Sequence, residues 1–155
     1  MRAFAVTSVV ALATAAIATA ATIIGNDSAN VIVGTASADY IEARGGNDRI
    51  YARAGKDEIR AGTGADRAHG GTGNDEVVGG DGSDWLFAGC PGGSCNAGSN
   101  FIFGGSGNDV VGADNGKYDN VNCSTGSGDV AYVDSIDNWT GCEIRHIDGN
   151  KMSVG

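Results

Sequence analysis

The chain has 155 residues, room for one modest domain, with 19 acidic against 10 basic side chains and a formal net charge of −9. That balance speaks against nucleic acid and anionic membrane surfaces as partners and favours cations. Gly occurs 27 times and Pro once. Such a composition fits disorder or a repeat architecture, and periodicity has to choose between them.

The first element is MRAFAVTSVVALATAAIATA, residues 1–20. Arg2 supplies a basic start, Phe4 to Ile17 an apolar run, and Ala18-Thr19-Ala20 a small-x-small cleavage site. The run, diluted by Ala and Thr, is too short for a membrane span. We therefore expect a signal peptide over 1–20 and a secreted, extracellular chain that starts near Ala21. Loss of Arg2 takes its formal charge to 9 − 19 = −10. Secretion also permits disulfides among the four cysteines.

Beyond that segment a period of nine takes over. Asp39, Asp48, Asp57, Asp66, Asp75 and Asp84 keep strict register, and two residues after each stands Ile41, Ile50, Ile59, Ala68, Val77 or Leu86. The apolar series runs back to Ile32 and Ile23. Gly46, Gly55, Gly64, Gly73 and Gly82 lie two before their aspartates, and Gly107 with Asp109 repeats the pair later. Six Gly-rich residues make a tight turn. The three that follow, as in Glu76-Val77-Val78, make a short strand with one side chain inward and two outward. Two units complete a coil, so Asp39, Asp57 and Asp75 form one ladder and Asp48, Asp66 and Asp84 the opposite one.

The unit G-G-x-G-x-D-x-apolar-x resembles the calcium-binding nonapeptide of the RTX family, the hemolysin-type repeats. GGTGNDEVV (70–78), GGDGSDWLF (79–87) and GGSGNDVVG (104–112) carry the resemblance most fully. Copies at 43–51, 52–60 and 61–69 lose one or both leading glycines. The resemblance implies an all-β fold, a parallel β-roll (a right-handed β-solenoid with two nonapeptides per coil) ended by a C-terminal capping segment. Its domains are then the signal peptide 1–20, the roll 21–112 with an inserted loop 88–99, and degenerate repeats with a cap over 113–155.

The resemblance also implies several Ca²⁺ ions, held at Asp39, Gly46, Asp48, Gly55, Asp57, Gly64, Asp66, Gly73, Asp75, Gly82, Asp84, Gly107 and Asp109. Each ion would sit between turns one coil apart, such as 52–57 with 70–75, and 61–66 with 79–84. The chemistry agrees, because stacked carboxylates repel without a cation between them. Ca²⁺ takes six to eight oxygens in flexible geometry, whereas Zn²⁺ would want the His or Cys that these turns lack. We expect the roll to fold with Ca²⁺ and to be largely disordered without it.

Between Leu86 and Ile102 the apolar spacing is sixteen, in a stretch that holds CPGGSC, 90–95. Four cysteines allow three pairings, and proximity favours Cys90–Cys95 and Cys123–Cys142. Asp119 and Asp129 then follow at tens, carrying calcium ligation only weakly, and Trp139, Ile144 and Ile147 are cap candidates. Trp85, Phe87, Phe101 and Phe103 gather apolar surface near the insertion. They either pack beneath the loop or tail, or form a partner surface, and Trp85 and Phe87 would mark where the regular roll stops.

No nucleophile motif accompanies His69 or His146, His69 falls in an outward column, and repeats begin almost at the cleavage site. The expected protein is a secreted, non-catalytic, monomeric calcium binder, structural or adhesive, with an extracellular or cell-surface partner. Two alternatives stand beside it. An ice-binding roll would need rows of Thr-Gly-Asn, and Thr72-Gly73-Asn74 occurs once. An accessory module of a secreted hydrolase or toxin would need a catalytic domain.

Overall fold

A computed structural model describes residues 8–11, 19–89, 98–147 and 150–153, with 8–11 and everything from 144 onward described by backbone alone. The elements are short strands. They begin with β1 (Ser8–Ala11), β2 (Thr22–Ile24), β3 (Asn30–Val33) and β4 (Tyr40–Glu42). Next come β5 (Arg49–Tyr51), β6 (Glu58–Thr63), β7 (Arg67–His69) and β8 (Glu76–Asp81). Past these lie β9 (Trp85–Phe87), β10 (Phe101–Ser106), β11 (Val110–Gly112) and β12 (Asn120–Thr125). The chain ends with β13 (Val130–Val133), β14 (Asn138–Thr140), β15 (Ile144–Ile147) and β16 (Asn150–Ser153).

Successive strands alternate between two sheets. The first runs β1-β3-β5-β7-β9-β11-β13-β15-β16, the second β14-β12-β10-β8-β6-β4-β2. All pairs are parallel except β15–β16. This is the parallel β-roll expected from the sequence, and no helix occurs among the described residues.

Register follows the period. Ile41 pairs with Ile59 and Ile59 with Val77 in one sheet, Ile32 with Ile50 and Ile50 with Ala68 in the other. These side chains form the core between the sheets, with Leu86, Ile102, Val111, Val121 and Ala131 continuing it. A second inward position lies two residues further on, occupied by Ala43, Ala52, Ala61, Ala88, Ala113, Cys123 and Val133, all buried. The copies that lose their first glycine thereby place a small apolar side chain in the core. That substitution adds buried area rather than breaking the turn.

The next position obeys a different rule. Gly62 has φ +113° and Gly80 has φ +116°, and a Cβ on either would collide with the carbonyl oxygen of the residue one coil earlier, Arg44 or Gly62. In the same column family Arg44 (φ 77°) and Arg53 (φ 84°) hold left-handed backbone with a side chain attached, a conformation that costs L-residues roughly 1–2 kcal/mol.

The insertion lengthens one coil without breaking either ladder. Phe101 pairs with Glu76 and Val110 with Trp85, although 25 residues separate the equivalent positions instead of 18. Residues 90–97, including Cys90 and Cys95, lie outside the described residues. The roll therefore does not stop at Trp85 and Phe87, and the parallel pairing continues to β15. A second correction concerns the aromatic residues. Trp85 and Phe87 belong to the sheet of β9, Phe101 and Phe103 to that of β10, so they face away from each other on opposite sides of the roll. Alternation within each strand could not show this, because consecutive strands belong to different sheets.

At the far end Cys123 and Cys142 form a disulfide, and Trp139 and Cys142 pack against the last of the core. We expect Arg53→Gly to stabilise the calcium-loaded chain by about 1 kcal/mol in urea unfolding. Gly62→Ala should destabilise it by roughly 1–3 kcal/mol or more. Equal midpoints for both variants would contradict this account of the turns.

Candidate metal centre

Each ladder aspartate sits at the end of its turn, just ahead of a strand, where the side chain folds inward and is buried. One carboxylate oxygen has a structural task. The backbone N–H of Asp39 donates to Oδ1 of Asp57 at 2.7 Å, and that of Asp57 to Oδ1 of Asp75 at 2.9 Å. On the other side Asp48 donates to Asp66 at 2.7 Å, Asp66 to Asp84 at 2.9 Å, and Asp84 to Asp109 at 2.9 Å. The two ladders read from the sequence are thus present as chains of N–H to carboxylate bonds that run from coil to coil.

The second oxygen is different. Oδ2 of Asp48, Asp57, Asp66, Asp75, Asp84, Asp109 and Asp129 is buried with no hydrogen-bond partner. A buried acceptor without a partner is costly, and more so when charged. These oxygens share their surroundings with backbone carbonyls. A Cβ placed on Gly70 would stand 2.6 Å from Oδ2 of Asp75 and 2.8 Å from the carbonyl oxygen of Ala88. One placed on Gly104 would stand 2.5 Å from Oδ2 of Asp109 and 2.8 Å from the carbonyl of Cys123. The turns therefore offer small cradles walled by a carboxylate oxygen and a carbonyl from the adjoining coil.

Among the described residues, no three His, Cys, Asp or Glu side chains gather at one point. A cation here would take single carboxylates and fill its shell with carbonyls. That all-oxygen donor set suits Ca²⁺ and does not suit Zn²⁺. The glycines expected at the sites occupy the turns themselves. Gly46, Gly55, Gly64, Gly73, Gly82 and Gly107 all have positive φ, and turn pairs stack as expected, with Gly55 N–H donating to Thr72 O and Gly64 N–H to Asp81 O.

The ladders are not equivalent. Asp39 has no spare oxygen, since Thr35 donates its N–H to Oδ2 at 2.6 Å and its hydroxyl to Oδ1 at 2.9 Å, and Ala21 N–H also reaches Oδ1. Further members are asparagines, which the aspartate series passes over, although Asn30 stands in register nine residues before Asp39. Asn30 and Asn100 stand where aspartates would, each two residues before a core residue, Ile32 and Ile102. Asn100 accepts from Asp75 N–H at 2.8 Å and donates through Nδ2 to Oδ1 of Asp119 at 3.0 Å. Oδ2 of Asp119 accepts from Asn115 Nδ2, while Asp137 and Glu143 close the two series. Five unpartnered oxygens lie on the side that includes Asp48 and only two on the side that includes Asp57. The signal for Asn30 and Asn100 was the apolar residue two places on.

Burial raises the pKa of these carboxyls, opposed by the N–H bond from the previous coil. Asp48 and Asp75 are pushed up to about 6, and Asp57, Asp84 and Asp119 to about 7. Neighbouring carboxylates add to the rise, Asp75 and Asp39 acting on Asp57. The His69 ring lies stacked between Tyr51 (5.2 Å, 2°) and Phe87 (4.9 Å, 9°), and burial lowers its pKa, favouring the neutral imidazole.

A carboxyl whose folded pKa exceeds its unfolded value of about 4 stabilises the fold fully at low pH and loses that contribution as pH rises through the folded value. Without calcium the roll should therefore be most ordered near pH 4 and lose order as pH rises through about 6 to 7. Calcium should remove that dependence at neutral pH. Circular dichroism across pH in excess chelator checks this, and order that increases with pH would contradict it.

A search of curated proteins gives no match to the chain. The profile of the RTX calcium-binding nonapeptide repeat, four copies long, matches residues 24–59, 60–89 and 96–117. With more than half the chain matched and the ladders in place, this protein belongs to the RTX calcium-binding nonapeptide-repeat family.

Proposed function

We propose that the chain is a secreted, non-catalytic protein whose roll folds around several Ca²⁺ ions and serves a structural or adhesive role outside the cell. The row of buried, unpartnered Oδ2 atoms carries this reading. When bound, Ca²⁺ supplies positive charge between coils. The residues that would hold it are Asp48, Asp66, Asp84, Asp109 and Asp129 on one side and Asp57 and Asp75 on the other, with turn carbonyls beside them. Because the unfolded chain lacks these cradles, cation affinity adds to folding free energy.

Extracellular placement rests on the leader-like segment 1–20 and on the Cys123–Cys142 disulfide, a bond favoured by oxidising compartments. Of that leader, Ser8–Ala11 pairs with β3, so its removal would leave β3 as the end strand of its sheet. Regular edges of this kind belong to the ends of a solenoid, where capping matters most.

Titration of calcium into chelator-treated protein at neutral pH should convert a disordered far-UV spectrum into that of a β-protein. An ordered spectrum unchanged by excess chelator would contradict the reading. Asp66→Asn keeps an oxygen for Asp48 N–H but removes the charge, and should weaken calcium binding by roughly tenfold or more. Asp39→Asn should leave calorimetric binding nearly unchanged, because Thr35 and Ala21 already use its oxygens.

A further inference from the structure

The two outer faces of the roll differ in charge. On the sheet of β3 to β13 no outward side chain is a carboxylate, in a chain with 19 acidic residues. Arg49 and Arg67 stand there in adjacent strands, register partners one coil apart, and neither forms an ion pair among the described residues. Trp85 follows them in the same column, 46 % exposed, with Arg67 5.2 Å above its ring. Beside this column Tyr51, His69 and Phe87 stack face to face. His69 has both ring faces covered in this stack, and Tyr51 and Phe87 one each.

The opposite sheet carries the complement. Glu58 and Glu76 are register partners one coil apart, with Tyr40 before them and Phe101, 51 % exposed, after them in one column. Glu42 lies in the neighbouring column, 3.7 Å from Arg44, and Arg60 bonds Oε1 of Glu58 through Nε and Nη2, so Oε2 of Glu58 and the whole Glu76 carboxylate have no ion pair among the described residues. Both sheets repeat at one coil per step, about 4.8 Å. Two guanidiniums at that spacing therefore match two carboxylates at that spacing.

We propose that this cationic, aromatic face docks on the acidic face of a second copy of the chain, so that rolls stack laterally. Arg49 and Arg67 pair with Glu58 and Glu76 across the contact. Trp85 then meets Phe101 when the roll axes are parallel and Tyr40 when they are antiparallel, an aromatic contact either way. The contact joins two different faces, so each added copy leaves one of each exposed and growth continues beyond a dimer. This deepens the structural role proposed above and rests on the calcium-folded roll, in which cations neutralise the turn carboxylates.

Sedimentation velocity of the full chain in calcium, over a range of protein and salt concentrations, tests it. We expect assemblies larger than a dimer that grow with concentration and shrink with salt. Arg49→Glu with Arg67→Glu should reduce the protein to monomer, as should Glu58→Arg with Glu76→Arg. A mixture of the two variants should assemble again. A wild-type monomer at every concentration would overturn the proposal, as would assembly indifferent to either pair. Failure of the mixture to reassemble, or wild-type monomer retained on a soluble polyanion through Arg49 and Arg67, would assign the face to another partner. Circular dichroism on the same samples separates the two claims. A fold indifferent to calcium counts against the calcium reading, while the sedimentation result still decides the stacking.

Discussion

The backbone N–H of one ladder residue donating to the carboxylate of its counterpart in the next coil is the bond on which the rest depends. It fixes the coil-to-coil register, and it requires a carboxylate or amide, buried, at the last turn position of every unit. Only one of two oxygens is used, so the bond that builds the roll also leaves a charged acceptor unsatisfied inside it. Unpaired buried charge is among the costliest features a fold can carry. Either a proton or a cation has to resolve it, and the raised pKa values are the protonic side of that choice.

Where the sequence departs from aspartate, the structure supplies another solution to the same problem. Asn100 closes the long coil after the insertion, donating an amide hydrogen toward Asp119, so that step needs no ion. Thr35 satisfies Asp39 at the beginning of its series and Asn115 satisfies Asp119 toward the end. The result is an uneven distribution, with most unpartnered oxygens on one side of the roll. Glu residues are sorted differently. Glu42, Glu58 and Glu76 stand on one outer face, and the other has none. Acidic charge is thus divided between aspartates buried at the ends of the turns and glutamates exposed on one outer face.

The architecture was legible because it obeys one period. Asp at nine-residue intervals, Gly two places earlier and an aliphatic residue two places later specify a turn, a strand and an inward direction. Other features were hidden for physical reasons. Asn30 and Asn100 carry no charge, yet the Asn100 amide oxygen accepts the ladder bond from Asp75 N–H as a carboxylate would, and Asn30 enters its ladder by donating its backbone N–H to Asp48. Glu143 ends its series only 14 residues after Asp129, its longer side chain reaching the N–H that an aspartate would have met. The grouping of Trp85 with Phe101 failed because sequence proximity in a two-sheet coil means opposite faces. Nor could spacing show that Asp39 is already saturated, since that depends on the rotamer of Thr35.

A crystal structure grown in calcium, with anomalous scattering used to locate cations, is the most direct measurement. Cations are expected about 2.3–2.6 Å from Oδ2 of Asp48, Asp66, Asp84, Asp109 and Asp129, and of Asp57 and Asp75, with turn carbonyls completing each shell. None is predicted on Asp39. Carboxylate oxygens capped by water or by protons, with no cation beside them at neutral pH, would contradict it.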